Sequence, residues 1–146
     1  LTGGAGSDDF NSIGTNGLDT ITDFNWGTTV TGSTTVDQLD LSTTLTITSL
    51  ADVDLVSGGG VDANSDVVIL DTAAYASSAL AEDAVVAGAA TGEGVVIWQN
   101  SLGQVIVSHD ADMNADATGL TEDLFIISGV SISDIATLID TGDFIA

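Results

Sequence analysis

Not one lysine or arginine occurs in this chain, against 22 acidic side chains in 146 residues. Apart from the single histidine, His109, no side chain can carry positive charge. Each carboxylate must therefore be solvated, bonded to backbone N–H groups, placed at a helix N-terminus or neutralised by an added cation. A nucleic-acid partner is excluded, because phosphate contacts need basic side chains. Anionic membrane surfaces are disfavoured for the same reason. The acids are nearly all aspartate, with glutamate only at Glu82, Glu93 and Glu122. Aspartate is short, sits well in turns and grips small hard cations. A salt-adapted surface also carries excess carboxylate. A few divalent ions would cancel two charges each, so most acids stay on the solvated surface in either case.

Hydrophobic residues make up 44% of the chain but aromatics only 5%, so a core has to be built from Val, Ile, Leu and Ala. The length fits one domain, which can bury roughly two-thirds of its unfolded surface. Proline is absent and 17 glycines carry the turns. Without cysteine no disulfide can staple the fold, and bound calcium is the alternative in a Gly/Asp-rich chain. No apolar run approaches ~18 residues, so no membrane-spanning helix is expected. Leu1-Thr2-Gly3-Gly4 is neither basic nor an apolar run and begins inside a motif. The expectation is a C-terminal part of a longer protein without an N-terminal signal peptide.

Gly3-Gly4-Ala5-Gly6-Ser7-Asp8-Asp9-Phe10-Asn11 matches the nonapeptide G-G-x-G-x-D-x-U-x at every fixed position. The glycines allow tight turns that aim carbonyls at an ion, Asp8 supplies a carboxylate, and Phe10 points inward. A phosphate loop is the competing reading, but it lacks its lysine. Here the chain resembles the repeats-in-toxin (RTX) family of calcium β-roll proteins. Leu18-Asp19-Thr20-Ile21-Thr22-Asp23-Phe24 and Val36-Asp37-Gln38-Leu39-Asp40-Leu41-Ser42 alternate apolar and polar residues, as half-buried strands do. They look like the strands that follow the last repeat in serralysin-type exported proteins. That resemblance implies calcium near Asp19 and Asp23; two strands with solvated outer aspartates are the alternative.

Farther on, Asp62-Ala63-Asn64-Ser65-Asp66 sets oxygens at alternate positions before the apolar run Val67–Leu70. An Asx-rich turn and an ion site made by Asp62, Asn64 and Asp66 both fit. Residues 77–90 read as a helix capped by Ser77 or Ser78, with Leu80, Ala84, Val85 and Gly88 as its apolar stripe. Gly94–Gln99 and Gln104–Ser108 flank Asn100–Gly103 as a β-hairpin. After it, Asp110, Asp112, Asn114 and Asp116 follow the D-x-D-x-N-x-D order of a calcium loop, with Glu122 or Asp123 near the position of the closing acid. Ala115 replaces the glycine of an EF-hand, and no helix precedes the run, so a calcium loop after a strand is the better form, with a solvated acidic turn as the alternative. Ser108, His109 and Asp110 do not make a triad, because neighbours on a strand face opposite ways. With no thiolates, the lone His109 makes no zinc site with cysteine.

The block from Val95 to Gly129, with the ending Gly142-Asp143-Phe144-Ile145, resembles the C-terminal "bluetail" domain of cyanobacterial surface proteins. Trp98–Gly103 and Asp110–Asp116 carry the likeness. It implies a surface or secreted protein exported by a type I ABC exporter, for which the ending Asp143-Phe144-Ile145-Ala146 suits an uncleaved signal. The expected fold is mainly β: the end of a calcium β-roll (1–44) leading into an antiparallel β-sandwich-like domain with one or two short helices (45–146). The expected function is a non-catalytic, extracellular, calcium-binding structural module of a surface-layer, filament or matrix protein, self-associating or meeting other surface proteins in calcium. The alternatives are the export tail of a secreted protease or lipase, and a carbohydrate-binding module using Trp26 or Trp98 as a platform.

Overall fold

The computed structural model describes residues 1–11, 18–25, 36–46, 50, 52–59, 61–88, 92–114, 120, 122–138 and 144–145, with backbone only at 86–88, 135 and 138. The chain is mainly β, with two sheets and two short helices in a sandwich-like arrangement. In chain order the strands are β1 (Asp9–Asn11), β2 (Asp19–Ile21), β3 (Gln38–Asp40), β4 (Val53–Leu55), β5 (Val67–Tyr75), β6 (Gly94–Asn100), β7 (Val105–Asp110), β8 (Glu122–Ile127) and β9 (Phe144–Ile145). A 3-10 turn, Val56–Gly58, follows β4; helix α1 is Ser78–Gly88 and α2 is Ile132–Leu138.

The small sheet has the order β1-β3-β9 and the large one β2-β8-β7-β6-β5-β4. The expected antiparallel pairing holds in the β6–β7–β8 meander. The other pairings, β1/β3, β3/β9, β2/β8, β4/β5 and β5/β6, are parallel. The chain thus winds between the two sheets. Leu1 bonds alongside β2 through Thr20 and Thr22, then come β1 in the small sheet, β2 in the large, β3 in the small, and later β8 and β9. Between β3 and β8 the chain leaves this winding to add β4–β7 to the large sheet. The expected division at 44/45 falls between β3 and β4, and both sheets take strands from either side of it.

Side-chain alternation explains the layers. Val67 and Ile69, Val95 and Ile97, Val105 and Val107, and Phe125 and Ile127 face the small sheet, where Phe10, Leu39 and Phe144 meet them with Ile132 of α2. Val68, Leu70, Val96, Trp98 and Ile106 face the other way, onto Ala81 and Val85 of α1 and onto Met113 and Leu120. Both faces of β5 to β7 are covered, so these strands read as continuous apolar runs. Full burial of one such side chain contributes on the order of 1.5–3 kcal/mol.

The helix sits where periodicity put it, and its N-terminus is held by Ser77, whose Oγ accepts from the Leu80 N–H at 3.3 Å and whose carbonyl accepts from Ala81 at 3.2 Å. Its buried face shares Val85 and Ala84 with the expected stripe but not Leu80. Ala81 and Val85 pack inward with Glu82, while Leu80 is 49% exposed. In α2, Ser131 and Asp134 form a reciprocal capping pair, each side chain accepting from the other's backbone N–H at 3.3 Å. The hairpin is as expected: Gly103 has φ 78°, and the Asn100 carbonyl oxygens accept from Leu102, Gly103 and Gln104.

Candidate functional site

The nonapeptide loop is closed by carboxylates from two later segments. Asp23 accepts the Gly3 N–H at 3.1 Å through Oδ1 and the Gly4 N–H at 2.9 Å through Oδ2. Asp37, buried, accepts from Asp8 N at 3.0 Å and from Asn25 N at 2.9 Å. With no base available, these acids are neutralised locally by N–H dipoles, and they bind the first turn of the winding to the second.

Asp8 lies inside this frame. Its Oδ2 is buried and has no hydrogen-bond partner, and the same holds for Oδ1 of Asn11 three residues on. A Cβ on Gly3 would stand 2.7 Å from that Asp8 oxygen, so glycine is what lets the carboxylate fold back against the backbone. A cleft of about 350 Å³ lies between Leu1–Gly3 and Asp8–Asn11. Asn11 spends its Nδ2 on Asp40 at 2.8 Å, which leaves its carbonyl oxygen as a bare acceptor. Buried acceptors without donors are destabilising by about 1–3 kcal/mol each, more when charged, unless something electropositive meets them. Asp8 and Asn11 both line this cleft, and an oxygen-seeking cation is the kind of group such acceptors would take. Asp19, expected nearby, is exposed on β2.

A second acidic group was only half visible in the sequence. Asp52, Asp54 and Asp62 bring one carboxylate oxygen each to within 4.8 Å of one another, and they are the one such trio among the described residues. Asp54 lies in β4, Asp52 just before it, and Asp62 comes from the following loop. The carboxylate of Asp54, with partial burial and the charges of Asp62 and Asp66, holds the Asp52 carboxyl above its ordinary value of 3.8. The expected partners of Asp62 do other work. Asn64 donates to Asp62 Oδ1 at 2.7 Å from its backbone, forming an Asx turn, and Asp66 Oδ2 accepts the Asp52 N–H at 3.1 Å. The alternate oxygens of 62–66 are thus used as turn and strap. The pair Asp52-x-Asp54 was the missed signal: residues two apart on a strand share a face.

The run after the hairpin begins at Asp110, buried at the end of β7 and opposite Gly94 of β6. Asp110 Oδ1 accepts the Asp112 N–H at 3.1 Å and Asp112 Oδ1 accepts the Asn114 N–H at 3.2 Å. Each side chain thus bonds forward to the N–H two residues on, within its own loop. Met113 is fully buried and its N–H donates to Gly92 at 2.8 Å, pinning the loop to the start of β6. Asp116 lies outside the described residues. Asp123 is engaged elsewhere, its Oδ1 accepting from Ser108 Oγ at 2.6 Å, and Glu122 stands opposite His109 in the β7/β8 ladder.

The hairpin strand separates Ser108 from His109. Ser108 lies on the α1 side, accepting from Trp98 Nε1 at 2.9 Å and donating to Asp123. His109 bonds Glu93 at 3.0 Å, and Glu93 also takes the N–H and hydroxyl of Thr46. Partial burial alone would raise the Glu93 carboxyl, but the bonds from Thr46 and His109 outweigh it and hold the group below its ordinary value of 4.5. Trp98 is 3% exposed, which removes it as a sugar-stacking platform; Trp26 lies outside the described residues. In comparisons with family models, with curated proteins and with solved structures, nothing matched this chain.

Proposed function

We propose that this chain is a calcium-stabilised, non-catalytic structural module of an extracellular or cell-surface protein, carried out of the cell by a type I exporter and serving in a surface layer, filament or matrix. The observation that carries the reading is the pair of buried, donor-less oxygens on Asp8 and Asn11, two residues of the nonapeptide that line one cleft, with the Asp8 carboxylate lying against Gly3. Asp8 and Asn11 would hold the ion, and it would supply positive charge that no side chain nearby can. Extracellular calcium suits such a site, since weak oxygen sites bind at about 10⁻⁴–10⁻³ M, far above cytosolic levels. Support for the non-catalytic reading comes from Ser108 and His109, the one nucleophile–base neighbour pair, which bond on opposite faces of a strand.

Calorimetric titration of the full chain with calcium chloride tests this. Saturable binding in the sub-millimolar to millimolar range is expected, with at least one ion lost in Asp8→Asn. No heat of binding up to about 10 mM would end the calcium reading. Unchanged stoichiometry in Asp8→Asn would move the ion away from the nonapeptide.

A further inference from the structure

We draw no further inference here: the strongest candidate, the carboxylate cluster of Asp52, Asp54 and Asp62 beside the edge strand β4, is an exposed acidic group without a second feature that points to a ligand, and the buried oxygens that would be such a feature, on Asp8 and Asn11, belong to the site already described.

Discussion

Gly94→Ala probes the joint on which the acidic run after the hairpin is hung. Gly94 opens β6 and pairs with Asp110 across the ladder. A Cβ there would stand 2.6 Å from the Asp66 carbonyl oxygen and 3.0 Å from Met113 Sδ, with Met113 Cε closer still. The methionine can move aside because it is unbranched. The carbonyl is fixed, because it holds the Val95 N–H at 2.9 Å and so joins β5 to β6. Overpacking in a core destabilises by about 1–3 kcal/mol, and a backbone obstacle places this case near 3. For a domain of this size that lowers the melting temperature by roughly 6–12 °C. Met113→Ala alone should remove about 2–5 kcal/mol by leaving a cavity. In the double variant the methionine part of the clash is gone and the carbonyl part remains. The two changes should therefore fall short of additivity by at least about 0.5 kcal/mol. Urea unfolding at fixed calcium concentration measures all four corners of the cycle. A Gly94→Ala protein within about 0.5 kcal/mol of the parent would refute the packing argument. Strict additivity would show that Met113 and Gly94 do not meet.

Four other perturbations follow from named contacts. Ser108→Ala leaves the buried Trp98 N–H without its acceptor and should cost about 1–3 kcal/mol in chemical unfolding. Asp123→Asn keeps an acceptor for Ser108 and should alter stability less; the opposite ranking would make Asp123 more than a strand partner. Because Glu93 is held below 4.5 in the folded chain, its contribution is present above that value and is lost as pH falls through the folded value. Glu93→Gln should therefore shallow the acid limb of the stability curve below about pH 4.5, and an unaltered limb would remove the Thr46–Glu93–His109 link from the account. The sign reverses for Asp52, whose carboxyl is raised chiefly by Asp54: its contribution is full below 3.8 and is lost as pH rises through the folded value. Asp52→Asn should thus raise the neutral-pH melting temperature in chelator, and a fall would show that the cluster is not under repulsion.

Much of the large sheet could be read from the chain. Runs such as Val67–Leu70, Val95–Trp98 and Val105–Val107 are apolar at every position because both their faces are covered, and the Asn100–Gly103 turn fixes their hairpin. The parallel partners could not be read. Asp9–Asn11, Asp19–Ile21 and Gln38–Asp40 are three residues each, too short for periodicity to specify a neighbour, and β9 returns from the far end of the chain to pair with β3. In the helix stripe Val85 and Ala84 were placed correctly and Leu80 was not, because alanine-rich sequence gives several similar faces. What decides between them is the packing of Ala81 and Val85 on the sheet. For the site, the glycine pattern pointed correctly to a turn with Asp8 inside. The clamp by Asp23 and Asp37 depends on segments brought together by the winding, and no local spacing encodes it. Alternate-oxygen spacing does not by itself separate an Asx turn from an ion site. At 62–66 and 110–114 the same spacing serves Asx turns, which need no ion to form.

The most direct measurement compares thermal unfolding of the full chain and of Asp8→Asn, each in about 10 mM calcium and in excess chelator. With weak sites of about 10⁻⁴–10⁻³ M, one ion adds roughly 1.4–2.7 kcal/mol, or about 3–10 °C, to the parent protein. In calcium, Asp8→Asn should melt below the parent. In chelator the order should invert or vanish, since the substitution then takes negative charge away from a buried oxygen that has no donor. A parent protein whose melting temperature is the same in calcium and chelator, or an Asp8→Asn protein equally destabilised in both, would contradict the claim that the nonapeptide is completed by a cation.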